Sequence, residues 1–201
     1  MARWLKLNLE AVTDRIPDRY EQIDSEAGIL LSGIVPDSIC DGPGLRLVFF
    51  TQGCPHRCPG CHNPETHGIG GGTLYRTDDL IAMLDRPLLQ GVTFSGGEPF
   101  AQRAALIPLA EAAKERELNT IVYTGYTVEQ LERWSAEDSD IARFLGLMDA
   151  VIDGPYVAAL RDPELRWRGS SNQRVIALSA TGEKLFGNDA LSRRLNHSRA
   201  V

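Results

Sequence analysis

"DGPGLRLVFFTQGCPHRCPGCHNPET", residues 41–66, decides how the rest of the chain is read. Its "RLVFFT" (46–51) is rich in Val and Phe and is bounded by the "DGPG" turn. Branched and aromatic residues between turn signals predict a buried strand. Directly after it come Cys54, Cys58 and Cys61, three of the chain's four cysteines, in the spacing CxxxCxxC. Pro55, Pro59 and Gly60 make a short loop that can wrap three sulfurs around one corner of a cluster. A 4Fe-4S cluster usually takes four thiolates, so three leave one iron open to a substrate or cofactor. Structural zinc is the rival, since it takes four closed ligands and uses Cys-x-x-Cys pairs. Cys40, His56, His62 or His67 could then supply the fourth ligand. A catalytic thiol needs fewer cysteines than three. Cys40 reads as a small buried residue or one adjacent to the site.

Outward from this stretch, strands and helices alternate. The sequence predicts strands at 91–95 ("GVTFS"), 119–124 ("NTIVYT"), 150–157 ("AVIDGPYV") and 173–179 ("QRVIALS"). Helices are expected over 76–85 with Thr77 as N-cap, and over 100–117 with a kink or broken turn at Pro108. Two more are expected over 127–135, opened by a Thr127/Gln130 capping box, and over 139–149. About five strands joined by helical crossovers predict a parallel sheet, too few for a closed eight-stranded barrel. The expected fold is α/β, a partial (open) TIM-like β/α barrel in a single domain. Residues 1–28 read as a mobile N-terminal extension, 29–179 as the core and 180–201 as a flexible tail.

Chemistry in such sheets gathers at the C-terminal ends of the strands. The cysteines, Gly96-Gly97-Glu98, "TGY" (124–126) and "DGPY" (153–156) all follow strands. Four segments far apart in sequence would therefore meet at one mouth. Glycines let backbone approach a ligand closely, and Glu98 is an acceptor that could hold an ammonium group. Alone, Gly-Gly-Glu also suits a plain strand-to-helix turn with an acid at the helix N-terminus. The chain has 201 residues, 43% apolar and 24% charged, as a soluble single domain would. A net charge of −6 argues against a general nucleic-acid binder, although Arg161, Arg166, Arg168 and Arg174 come close to a local basic patch. Glu10, Asp14 and Arg15 interrupt any signal-peptide core, and no stretch approaches 18 apolar residues. The expected location is the cytoplasm, without membrane or nucleic-acid partners, where clustered thiols stay reduced.

CxxxCxxC followed by a Gly-Gly-Glu strand end resembles the radical S-adenosylmethionine enzymes. Within them, residues 41–66 resemble the glycyl-radical-enzyme activating group. "YTGYTVEQL", "MDAVIDGPYV" and "LRWRGSSNQRVI" are similar to the activating proteins of anaerobic ribonucleotide reductase, over about residues 33–176. The resemblance implies that Cys54, Cys58 and Cys61 hold a 4Fe-4S cluster whose fourth iron takes S-adenosylmethionine. It implies that Gly60, Cys61 and His62 lie on the adenine side, and that Gly96, Gly97 and Glu98 meet the methionyl amine. Thr124 and Asp153 match strand ends near the cofactor. The implied reaction is reductive cleavage of S-adenosylmethionine and removal of a hydrogen atom from a glycine of a large partner. That partner would be a glycyl radical enzyme, anaerobic ribonucleotide reductase, with a flavodoxin-like or other low-potential electron donor. No general acid or base is required, so no catalytic side chain is expected beyond the cofactor site. "RWRGSSNQ" (166–173) would close the cofactor mouth or dock the partner, or else be a loop stapled by one buried Trp. Two other readings remain: a radical enzyme acting directly on a peptide or small molecule, and a zinc-stabilised binding module.

Overall fold

The computed structural model describes Ile16 and residues 28–192. Its sheet has eight strands: β1 (Ile29–Ser38), β2 (Arg46–Thr51), β3 (Thr73–Tyr75), β4 (Gly91–Gly96), β5 (Asn119–Tyr123), β6 (Ala150–Asp153), β7 (Arg174–Ala177) and β8 (Leu191–Ser192). Their order is β3-β1-β2-β4-β5-β6-β7-β8. β2, β4, β5 and β6 are parallel, as expected. β7 is not: it runs antiparallel to β6, because a loop rather than a crossover helix joins them. β1 and β3, unforeseen, extend the other side as antiparallel strands. The architecture is mixed α/β.

Period-two alternation gives the sheet two different faces. Leu47 and Phe49 of β2, Val92 and Phe94 of β4, and Val122 of β5 belong to the main core. That core is shared with α1 (Thr77–Ala82), α2 (Arg103–Glu115), α3 (Val128–Trp134) and α4 (Ser139–Gly146). Phe144 of α4 meets both Phe94 and Phe100 edge-on, at 5.4 and 5.2 Å between ring centroids. The alternate residues face the other way. Ile121, Ala150, Ile152 and Val175 form a smaller cluster with Phe186 of α5 (Ala180–Phe186). Phe50 and Ser95 line a cavity on that second face.

Local chemistry explains most element ends and corrects three expectations. The Thr127/Gln130 capping box forms as expected. Thr77 is the first helical residue rather than the cap; Arg76 holds the cap position and makes no side-chain bond. α2 runs through Pro108 without stopping. Pro108 and Ala104, four residues before it, both lie on the exposed face, where the hydrogen bond that proline cannot make leaves no group buried from solvent. The segment from Ala180, expected as a flexible tail, carries α5 and β8, because Phe186 finds an apolar seat. Residues 1–28, expected as an extension, lie outside the described residues except Ile16 and Gly28, and Ile16 is buried in the main core.

Candidate functional site

The ends of β2 and β4 are locked together by backbone. Gly97 N–H donates to the Thr51 carbonyl at 2.7 Å, and Glu98 N–H to the Gly53 carbonyl at 2.8 Å. A Cβ on Gly97 would run into the Gly53 carbonyl oxygen, and one on Gly96 (φ +99°) would meet Thr51 and Phe50 backbone. The two glycines thus admit the start of the cysteine loop, a close approach that no larger residue allows. The loop's own backbone returns onto itself, with Gly53 N–H on the Thr66 carbonyl (2.8 Å) and Cys54 N–H on that of His67 (3.3 Å). Gln52 and Gln102, both buried, stitch the loop base to Glu65, Gly68 and β1 through their amides.

These contacts open one cavity of about 480 Å³ at the strand ends, which Cys54, Cys58 and Cys61 all line. His62, Gly96, Gly97 and Thr124 line it too, so three segments distant in sequence share one space. Cys54 is buried, and burial pushes its thiol up to about 12, with the nearby Glu98 carboxylate adding to the effect. Burial also pushes Cys58 up. Thiols so placed stay protonated at neutral pH unless a metal compensates the thiolate charge. An iron–sulfur cluster is held by cysteine thiolates, and three cysteines on one cavity wall are a donor set that fits it. Among the described residues, no three His, Cys, Asp or Glu side chains are grouped so as to hold a single metal ion. A cluster bound through separate irons does not need such a grouping.

Glu98, Asp153 and Gly60 stand differently from the cavity-lining residues. Glu98 is fully buried and accepts four internal hydrogen bonds. Its donors are Phe100 N–H (3.1 Å), Thr124 Oγ1 (2.9 Å), Gly125 N–H (2.9 Å) and the His56 ring, whose Nε2 lies 2.9 Å away. A carboxylate has about four lone-pair sites, so these donors occupy them. His56, packed edge-on against Tyr126 at 4.4 Å, lines the cavity where Glu98 does not. Asp153 is buried away from the cavity lining. It caps α3 through Val128 N–H (2.9 Å) and pairs with Arg174, whose other partner is Glu129. Gly60 lies in the Cys58–Cys61 turn, where a side chain would meet Ala158 and Tyr156. Cys40 is exposed rather than buried, lines the cavity, and lies 3.6 Å from the Ser38 hydroxyl.

Sequence reasoning missed Tyr123 as a cavity-wall residue, whereas Tyr156 and Gln173 belong to the "DGPY" and "RWRGSSNQ" segments expected at the mouth. Tyr123 was hidden by its place in a strand, where its inward register was the only signal. Tyr156 tilts against His62 at 5.0 Å between centroids, so two aromatic rings stand side by side at this wall. The expected basic patch is dispersed: Arg174 pairs with Asp153 and Glu129, Arg166 lies 3.9 Å from Asp189, and Arg168 faces the cavity.

A family model described as a 4Fe-4S single cluster domain matches residues 40–176. An anaerobic ribonucleoside-triphosphate reductase-activating protein of Vibrio cholerae is 35% identical over 149 residues, covering 70% of this chain and 92% of the relative. The chain belongs to this family of activating proteins. The proteins of that name from Escherichia coli K12 and enterobacteria phage T4 are each 34% identical over 149 residues. Their coverage is 70% of this chain and 93% of the relative for the first, and 71% and 90% for the second. The matched 4Fe-4S domain contains every residue that lines the cavity. Among the described residues no helix is long and apolar enough to cross a membrane.

Proposed function

We propose that this activating protein is a radical S-adenosylmethionine enzyme that generates a glycyl radical on anaerobic ribonucleotide reductase. The observation that carries the reading is the convergence of Cys54, Cys58 and Cys61 with His62, Gly96, Gly97 and Thr124 on one cavity. The three cysteines would hold the cluster, and the remaining cavity would take S-adenosylmethionine. When bound, the pair supplies one-electron cleavage of the sulfonium and, from it, abstraction of a hydrogen atom from a glycine α-carbon. The chain's own residues supply placement. The locked ends of β2 and β4 fix the cysteine loop against the Gly-Gly wall, and His62 and Tyr156 offer aromatic surface to an adenine. Glu98 holds that wall rigid by gathering His56, Thr124 and Gly125. Thr124 thus serves the cofactor through position, and Asp153 acts one layer further out by fixing β6 to α3.

On this reading the sheet is a partial barrel, with its second face as the barrel interior and an open side through which a partner's glycine loop enters. The electron comes from a flavodoxin-like or other low-potential donor, and the reaction runs in the cytoplasm. Protein purified without oxygen should carry about four irons and four sulfides per chain. After reduction it should form 5′-deoxyadenosine from S-adenosylmethionine and, with the reductase present, a glycyl radical visible by electron paramagnetic resonance. Cys58→Ala should abolish product formation and most of the visible absorption. Full product formation by that variant, or bound zinc and no product in the wild type, would refute the reading.

A further inference from the structure

The loop from Gly154 to Gln173 carries "RWRGSSNQ", and the structure gives most of that motif a structural task. Gln173 is the hub: its Oε1 accepts from Gly169 N–H (2.9 Å) and Ser170 N–H (3.2 Å), and its amide donates to the Gly154 carbonyl at 3.1 Å. Asn172 donates to the Pro155 carbonyl at 2.7 Å. Ser170, fully buried, accepts from Val157 N–H at 3.2 Å. Gly169 passes so close to Tyr156 and His62 that a Cβ would lie 3.1 and 3.2 Å from them. Trp167, held at φ +64°, packs edge-on against Phe186 while also lining the cavity. A bulky residue in the left-handed region is an outlier that the surrounding loop must hold in place.

Arg168 is the member without a sufficient task. Arg168 lines the cavity, and its Nη1 reaches the Gln173 carbonyl only at 3.4 Å. Its Nε is buried with no hydrogen-bond partner, and no carboxylate pairs with it among the described residues. Buried polar groups in native proteins are satisfied, and a guanidinium fork is shaped for a planar oxygen acceptor. The hydrogen-bonded loop therefore sets at the wall of the three-cysteine cavity an arginine that no carboxylate among the described residues answers.

We propose that Arg168 receives a carboxylate or carbonyl oxygen of a ligand bound in this cavity. The proposal rests on the functional reading above and adds a specificity residue to it. Two ligands could bring that oxygen: the methionyl end of S-adenosylmethionine, or the backbone of the partner's glycine-bearing loop. The test uses cluster-loaded wild type, Arg168→Gln and Arg168→Lys, with iron content and visible spectrum confirming equal loading. Equilibrium dialysis without oxygen would measure binding of S-adenosylmethionine and of decarboxylated S-adenosylmethionine. Steady-state activation would give kcat and KM for the reductase.

If the oxygen is the cofactor's, Arg168→Gln should bind S-adenosylmethionine at least about tenfold more weakly and the decarboxylated analogue as wild type does. If it is the partner's, both probes should bind normally while KM for the reductase rises by about tenfold at unchanged kcat. In either case Arg168→Lys, which keeps the charge but not the fork, should fall between. It also carries the test if the Gln variant fails to load. Wild-type values throughout, or equal weakening for both probes, would overturn the proposal while leaving the radical chemistry standing. Wild-type protein that binds neither probe would overturn the functional reading, and this proposal with it.

Discussion

The two ends of the parallel strands differ in how completely they answer buried polar groups: the C-terminal end satisfies Glu98 and Asp153 but not every group beside them. At the N-terminal end, Arg46 is fully buried and fully answered. Its guanidinium donates to Thr93 Oγ1 (2.6 Å), the Val92 carbonyl (2.6 Å), Asn119 Oδ1 (2.5 Å) and the Pro43 carbonyl (3.0 Å). Burial lowers its pKa to about 10, which still leaves it charged at neutral pH. Nearby Asp149 is similarly enclosed by Lys114 (2.8 Å), Thr120 N–H (2.9 Å) and Ser179 (2.6 Å). At the C-terminal end burial pushes the thiols of Cys54 and Cys58 up, and Arg168 has a buried donor without an acceptor among the described residues. A buried polar group that the chain satisfies by itself is architecture. One that it leaves unanswered points to a ligand.

The largest effect that can break this contrast is at the closed end. Arg46→Met should cost at least about 3 kcal/mol, because Thr93, Asn119 and two carbonyls would lose a buried charged donor. Chemical unfolding would measure the loss. Iron content and S-adenosylmethionine affinity of the folded fraction should stay at wild-type values. A matching fall in cofactor affinity would mean that the two ends are not separate in function.

Gly97→Ala is the converse test. The added methyl would force the Gly-Gly wall away from Gly53, at a cost of about 1–3 kcal/mol for overpacking. Iron loading should fall with it, since Gly53 precedes the first cysteine by one residue. Normal loading in a destabilised variant would show that the β2–β4 lock supports the fold without shaping the cysteine loop.

How far the sequence revealed this arrangement differs between the two ends. The cavity end was legible because its segments carry punctuation: three spaced cysteines, a Gly-Gly pair and a loop of small residues each follow a recognisable strand. What stayed hidden was the division of labour. Glu98 looks like an acceptor facing outward until its four internal donors are seen, and Asp153 looks like a strand-end ligand until Arg174 claims it. Apart from the local Phe100 N–H, those pairings join residues 21 to 42 positions apart, and no local pattern encodes them. The closed end was missed for a related reason. Arg46 opens an apolar strand and reads as a boundary residue, yet its inward register makes it the plug beneath the second face. β1 escaped because its alternation is broken by bulges at Leu31/Gly33 and Val35/Ser38.

The smallest effect sharpens the contrast from outside. Asp138 caps α4, accepting from Asp140 and Ile141 N–H at 2.9 and 3.0 Å, and pairs with Arg103 at 2.6 Å. Arg103 in turn donates to the Phe100 carbonyl, two residues beyond Glu98 (3.2 Å). Burial opposes ionisation of Asp138, but Arg103 and the two backbone donors outweigh it and hold the carboxyl below its usual range. A lowered carboxyl pKa stabilises the fold fully above the unfolded value of about 3.9, and that stability is lost as pH falls through the folded value. Asp138→Ala should therefore cost about 1 kcal/mol at pH 7, and its difference from wild type should shrink below about pH 4. Unfolding midpoints at the two pH values would measure this. Cofactor affinity at pH 7 should not move, because the Glu98 cluster holds its wall without help from α4. A several-fold fall in affinity would instead extend the cavity's support through Arg103 to the helix layer, and the boundary between the two ends would have to be redrawn there.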